Sequence, residues 1–281
     1  MTRREYILVG STATKRLSCL KGAVLTTNEY SKIRNGSSSE ITSTRITALR
    51  AMLLLAGLWL ALPVRAGLLD AGFDAQYKVY MGGIPAGISQ RNVAVNDGII
   101  VYRAHSEPRG MARLFTRDVV TETSIMQRTD DDVQPLEYRY DQTGKDEVHE
   151  KVLFDWEKKT LTITKNRLTY PIVANTYDML SFQIAMMLKL ARQPKTFTFH
   201  VADHHDLHTY KATVVGSETI STGYRDDMQT LRVDSFNPKE KLRFSFWCAP
   251  ELDYLPVRIE IVRTDLDMGS TTELKTLHRR P

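Results

Sequence analysis

Fifteen residues, Asp178 to Arg192 (D-M-L-S-F-Q-I-A-M-M-L-K-L-A-R), restrict the fold more than any other stretch of this chain. Leu180, Ile184, Met187, Leu188 and Ala191 recur at helical spacing, and Met179, Phe182, Met186 and Leu190 fill most of the other side. A helix apolar nearly all round must be buried nearly all round. At roughly 22 Å it is too short to span a bilayer. Asp178 stands where an N-cap belongs, its carboxylate placed to accept free amide hydrogens of the first turn, and Pro194 closes the helix.

The other patterned segments read as strands. Phe73 to Met81 turns at Gly82-Gly83 and returns over Gly87 to Val95, and Asn96-Asp97-Gly98 is a hairpin signal because these residues tolerate positive φ. Ile99 to Ser106, Val119 to Gln127, Leu136 to Tyr140 and Val148 to Trp156 follow, then a short hairpin, Thr160 to Thr164 and Leu168 to Ile172. Beyond the helix, Phe197, Phe199 and Val201 alternate with Thr196, Thr198 and His200. Tyr210, Ala212 and Val214 form the next inward row, then Leu231 and Val233 against Thr230, Arg232 and Asp234. Leu242, Phe244 and Phe246, then Val257, Ile259 and Ile261, continue it, and Thr271 to Leu277 closes the series. A period of two with one wet face marks antiparallel strands packed on one side. Sheets this wide twist and curl. The expected fold is therefore mainly β: a curved antiparallel sheet or incomplete barrel of roughly a dozen strands wrapped around one buried helix.

Charge confines the function. The chain carries 38 Lys and Arg against 33 Asp and Glu, but ten of the basic residues and only three of the acidic ones precede Gly67. From Gly67 onward 28 basic face 30 acidic residues, a net of −2, so nucleic acid is not an expected partner. The basic leader contains Ala51 to Leu62, an unbroken apolar run preceded by Arg45 and Arg50 and followed by Pro63-Val64-Arg65-Ala66. This is the pattern of a secretory signal peptide cleaved after Ala66, with an uncleaved anchor as the alternative. Residues 1–44 read as a disordered extension or as sequence upstream of the true start, 45–66 as the signal peptide, and 67–281 as one β-rich periplasmic domain without an integral membrane segment. Cys19 lies in the leader, so Cys248 would be alone and is read as a small buried apolar residue.

Phe246 to Glu260 (F-W-C-A-P-E-L-D-Y-L-P-V-R-I-E) reads as a strand, a wide turn stiffened by Pro250 and Pro256, and a second strand. Trp247 and Tyr254 are placed to pack across that turn. This stretch resembles the end of an uncharacterised family of exported Gram-negative proteins catalogued as domain of unknown function 3108. Asp178-x-Leu180-Ser181 resembles that family's mid-chain helix start. Val215 to Glu218 with Gly223, and Tyr77-x-Val79 with Gly87, resemble further parts of it. Cys248 departs from the pattern, standing where an aliphatic residue is usual. The resemblance implies a periplasmic protein with a fold like the lipoprotein-carrier half-barrels, and structural roles for Asp178, Ser181, Trp247, Pro250, Tyr254 and Pro256. It implies no reaction.

Motifs for catalysis are scarce. There is no Gly-x-Ser-x-Gly elbow, phosphate loop, dinucleotide fingerprint or His-Glu-x-x-His, and no cofactor is expected. His200, His204, His205 and His208 could ligate Zn or Cu. Alternation, however, sends His200 and His208 to opposite faces and leaves a polar hairpin tip as the better reading. Asp130 to Asp132 and Asp265-x-Asp267 lack the spacing of a Ca²⁺ loop. Ser181 reads as a first-turn residue bonding locally. Met179, Phe182, Met186, Met187, Phe199, Tyr210 and Phe244 are the candidate lining of a hydrophobic cavity, because thioether side chains adapt to an acyl chain as readily as they fill a core. Three readings follow: a binding module for a lipid, a lipoprotein or another hydrophobic envelope component; a structural module docking an envelope protein; and a metal enzyme built on the His cluster.

Overall fold

The computed structural model describes residues 67–237, 241–265 and 268–280. The extension and signal peptide read from residues 1–66 lie outside these.

A one-turn helix, α1 (Leu68–Ala71), precedes eight strands in sequence: β1 (Phe73–Met81), β2 (Ile84–Asn96), β3 (Ile99–Pro108), β4 (Val119–Arg128), β5 (Val133–Thr143), β6 (Val148–Asp155), β7 (Thr160–Ile163) and β8 (Leu168–Pro171). A three-residue strand, β9 (Thr176–Asp178), leads into α2 (Ser181–Leu190). Then come β10 (Thr196–Ala202), β11 (Leu207–Ile220), β12 (Met228–Asn237), β13 (Leu242–Ala249), β14 (Leu255–Arg263) and β15 (Met268–Arg279).

All fifteen strands belong to one sheet, in the order β8-β7-β6-β5-β4-β3-β2-β1-β15-β14-β13-β12-β11-β10-β9. Every ladder is antiparallel except β9 with β10. The first and last strands of the described residues thus lie side by side in the middle of the sheet, and its free edges are β8 and β9. The β1–β2 and β2–β3 turns close through Gly82-Gly83 and Asp97-Gly98, all four at positive φ, as two-residue turns between twisted strands require.

The fold class agrees with the sequence at the coarse level, mainly β and curved, and differs in detail. Among the described residues there are fifteen strands rather than a dozen and two helices rather than one. The strand that alternation does not reveal is β9, whose three residues are all buried and so show no period. The long helix is shorter than its apolar run: Asp178 belongs to β9, and Met179 and Leu180 form the turn that enters α2.

The sheet curls until its far turns meet. Asn166 in the β7–β8 turn donates its amide to His205 O (2.9 Å) in the β10–β11 turn, and Tyr170 donates to Asp206 (2.5 Å). The rings of Tyr140 and His204 stack at 3.9 Å. This seam is held by side chains and not by a backbone ladder. Inside, α2 buries Ile184, Ala185, Met186, Met187 and Leu190 almost completely. Each large apolar side chain so buried stabilises the fold by about 1.5–3 kcal/mol.

Candidate functional site

The helix entry is built from a reciprocal pair. Asp178 Oδ1 accepts from the amides of Leu180 (2.8 Å) and Ser181 (2.9 Å), while Ser181 Oγ accepts from the Asp178 amide (2.8 Å). This is the reciprocal pattern of a capping box, with Asp and Ser exchanging roles, set in the turn ahead of α2, whose N-cap position is Leu180 rather than Asp178. Asp178 Oδ2 takes a further bond from Ser124 Oγ on β4. Burial raises the Asp178 carboxyl above the ordinary aspartate range, against the Ser181 and Leu180 amides and the Ser124 hydroxyl, which pull the other way. The acidic β4–β5 turn fastens the same region: Asp132 accepts from Tyr177 and Lys189, and Asp131 pairs with Arg192.

One side of α2 is apolar. Met179, Phe182 and Met186 face Phe199, Val201, Tyr210, Ala212, Phe244 and Phe246 on β10, β11 and β13. Phe182 meets the rings of Phe199 and Phe246 edge-on at 6.0 and 5.9 Å, and Tyr210 meets Phe244 at 5.4 Å. Between them runs a partly open crevice of about 30 Å³, enough for one or two waters, whose lining is almost wholly apolar. The exception is Ser235 on β12. Its buried Oγ has no hydrogen-bond partner, a condition that only Arg91 Nε shares among the buried side-chain polar atoms of the described residues. Of the seven residues expected to line a cavity, the structure gathers Met179, Phe182, Met186, Phe199, Tyr210 and Phe244 here. Met187 is not among them. One residue on from Met186, it points about 100° around the helix and lines a separate hollow with Leu69, Arg128 and Tyr254.

The other side of α2 is polar. Ladder registers put Ala75, Arg91, Ala104, Glu122 and Tyr140 in one inward row across β1 to β5. Arg91 Nη1 donates to Gln183 Oε1 on α2 (2.9 Å), and its guanidinium lies 4.3 Å from the Tyr77 ring centre. Tyr138 donates to Glu122 Oε1 (2.6 Å). Burial raises both the Glu122 carboxyl and the Tyr138 phenol above their usual ranges. The sequence reading missed this half. Its signal was Arg91 in phase with Val93 and Glu122 in phase with Ser124 and Met126: the apolar alternation continues into charge without changing period.

The residues singled out by the family resemblance hold the frame. Trp247 lies on β13 between the guanidiniums of Arg232 and Arg258, 5.1 and 5.7 Å from its ring centre, and donates Nε1 to Glu218 (2.7 Å). Pro250 begins a 3-10 turn that ends at Asp253 and Tyr254, both at positive φ. Asp253 receives the Leu68 amide (2.5 Å), and Pro256 O receives the Tyr77 hydroxyl (3.0 Å), so the turn pins the start of the domain. Cys248 is fully buried and burial pushes its thiol up, which suits a packing residue.

The four histidines do not form a metal cage. His200 pairs with Thr209 on the outer face (3.0 Å), His204 stacks on Tyr140, His205 contacts Lys165 (2.9 Å), and His208 contacts Asp203 (3.3 Å). Among the described residues no three His, Cys, Asp or Glu side chains converge to hold a metal ion. The structure does not bring His200, His204, His205 and His208 to one point: ladder alternation separates His200 from His208, and the seam engages the other two.

The family model described as "Protein of unknown function (DUF3108)" matches residues 76–275. No curated protein matches the chain. Among solved structures, a β-barrel-like protein of domain of unknown function DUF1849 from Brucella abortus superposes with a TM-score of 0.50 at 10% identity, over 76% of this chain and 99% of that one. At that identity the likeness is one of fold, and it agrees with a sheet curled toward a barrel.

Proposed function

The chain belongs to the DUF3108 family of proteins of unknown function, and on that premise we propose that it is an exported, non-catalytic envelope module that binds a hydrophobic ligand between α2 and strands β10 to β13. The observation that carries this reading is the crevice itself. Nine apolar side chains, two of them methionines and five of them aromatic, surround one buried hydroxyl without a partner. Apolar walls with a single polar group are how small-molecule sites combine affinity with orientation. The space is small as it stands, so the ligand enters by displacing Met179 and Met186, whose unbranched thioethers re-pack at little cost. An acyl chain or a similar slender apolar group suits this crevice better than a rigid ring system. The leader pattern of Arg45 to Ala66 supports delivery to the periplasm, where lipids and lipoproteins are the abundant apolar cargo.

Native mass spectrometry of protein prepared gently from the periplasm tests the reading. The expected result is extra mass that passes into organic solvent. A bare polypeptide that also takes up nothing from a total envelope-lipid extract would overturn it.

A further inference from the structure

The four most exposed large apolar side chains among the described residues are Phe115 (87%), Leu114 (74%), Ile84 (66%) and Met111 (65%). All four belong to one place on the rim of the sheet. Ile84 follows the β1–β2 turn, and half-exposed Met81 precedes it. Met111 and Leu114 lie in a 3-10 turn, Gly110–Leu114, inside the β3–β4 connection, which packs on β2 and is tied to it by the Arg109 amide donating to Ala86 O (2.8 Å). The β5–β6 turn flanks the connection on its other side, where Lys145 donates its amide to Asp118 (2.9 Å). Isolated exposed apolar residues need no explanation, but a cluster of the largest ones at a single tip does.

The sequence between them identifies what covers it. Arg109-Gly-Met-Ala-Arg113-Leu-Phe-Thr-Arg117 carries a guanidinium every fourth residue and no carboxylate. Glu107 at its base pairs with Arg109 and Arg113, and Asp118 follows. With both acids counted the segment remains positive, three against two. Asp146 and Glu147 in the neighbouring turn make the collar behind the tip mixed in charge. A polyanion such as nucleic acid is poorly matched to such a collar and gives Phe115 and Leu114 nothing to enter. A bilayer surface satisfies both features: apolar side chains pass the headgroups, while arginines beside them stay at phosphate depth.

We propose that this tip docks the protein on a bilayer containing anionic lipid, with Phe115, Leu114, Met111 and Ile84 inserted and Arg109, Arg113 and Arg117 contacting phosphate. The tip is independent of the crevice: none of its residues lines it, and the inference stands whether or not the crevice holds a ligand.

The test uses the protein as the cell exports it, carrying Phe115→Trp, with vesicles of phosphatidylethanolamine and phosphatidylglycerol containing bromine-labelled acyl chains. Insertion is read as quenching beyond that seen in protein without the substitution, which corrects for Trp156 and Trp247. The expected result is such extra quenching, with binding weakened about tenfold or more in R113E/R117E and in L114S/F115S. Both pairs are exposed, so the variants fold, and unchanged thermal unfolding verifies it. Three results would each overturn the proposal: equal binding by either variant, equal binding to pure phosphatidylcholine, or an emission shift of the introduced indole that depends on protein concentration without lipid. The last would mean that a second copy covers the tip.

Discussion

Ser124 Oγ donates a 2.7 Å hydrogen bond to Asp178 Oδ2, and neither residue is exposed to solvent. Ser124 is on β4 and Asp178 ends β9, so the bond crosses the interior between strands far apart in the sheet. The carboxylate that starts the helix therefore also fastens the edge strand to the opposite wall.

Asp178→Ala removes the carboxylate that braces the turn into α2 and leaves a buried hydroxyl and two amides short of a partner. The expected loss of stability is at least about 3 kcal/mol, against roughly half of that or less for Asp178→Asn, which keeps an acceptor for the amides. Urea unfolding followed by circular dichroism measures both. Equal losses would show that the hydrogen bonds are not what matters.

The seam makes stability depend on pH in two windows. Burial, then the neighbouring His205, lowers the His204 pKa below its ordinary value. A depressed histidine binds its proton more readily in the unfolded chain, so its contribution is complete above about pH 6.5 and is lost as pH falls below that. Burial disfavours the Asp203 carboxylate, but His208 and the amides of Asp206 and His205 outweigh it and bring the pKa to about 2. Its contribution is present above about pH 4 and is lost toward pH 2. Hydrogen-exchange protection at residues 164–168 and 203–206, measured relative to the intrinsic exchange rate at each pH, should fall below pH 6.5, and His204→Gln should remove that step while leaving the more acidic one.

Enlarging the crevice separates ligand capacity from stability. Met186→Ala is expected to destabilise the fold by about 2–5 kcal/mol and to increase uptake of a fluorescent fatty acid. Ala212→Phe, which fills the same space from the opposite wall, should block uptake. An uptake unchanged by both substitutions places the ligand elsewhere.

Trp247 is a packing and ladder residue on the sheet's outer face. Trp247→Ala should cost about 3–5 kcal/mol in denaturant unfolding, whereas Arg258→Ala should cost about 1 kcal/mol, because its partner Glu273 stays close to solvent. Neither should alter ligand uptake by the fraction that remains folded.

The sequence made the strands and the long helix legible because most of the sheet has one wet face, and a wet face produces a period of two. Where both faces are covered the signal goes. Ser245, Phe246, Trp247, Cys248 and Ala249 are all buried, and β9 is buried at every residue. The β12 row also departs from simple alternation, with Thr230 buried and Leu231 only partly so, while Val215 on the neighbouring strand bulges between Val214 and Gly216. Met187 has the same side chain as Met186, but the helix sends adjacent residues in different directions. The polar wall of Arg91 and Glu122 is hard to read from the sequence because charge in an alternating strand ordinarily faces water. Gln183, set between Phe182 and Ile184 on α2, carries the same signal from the helix side.

The pairing of β1 with β15 has a mechanical consequence. Phe73 sits opposite Arg279 and Met81 opposite Ser270, so both strands leave the sheet at the same end. Tension between those two chain ends would load the ladder as a zipper rather than in shear. After the Arg280 contacts with Asp74 and with Gly72 O gave way, the bonds would break in succession toward Met81, splitting the sheet through its middle while the side-chain seam at its edges bore little of the force.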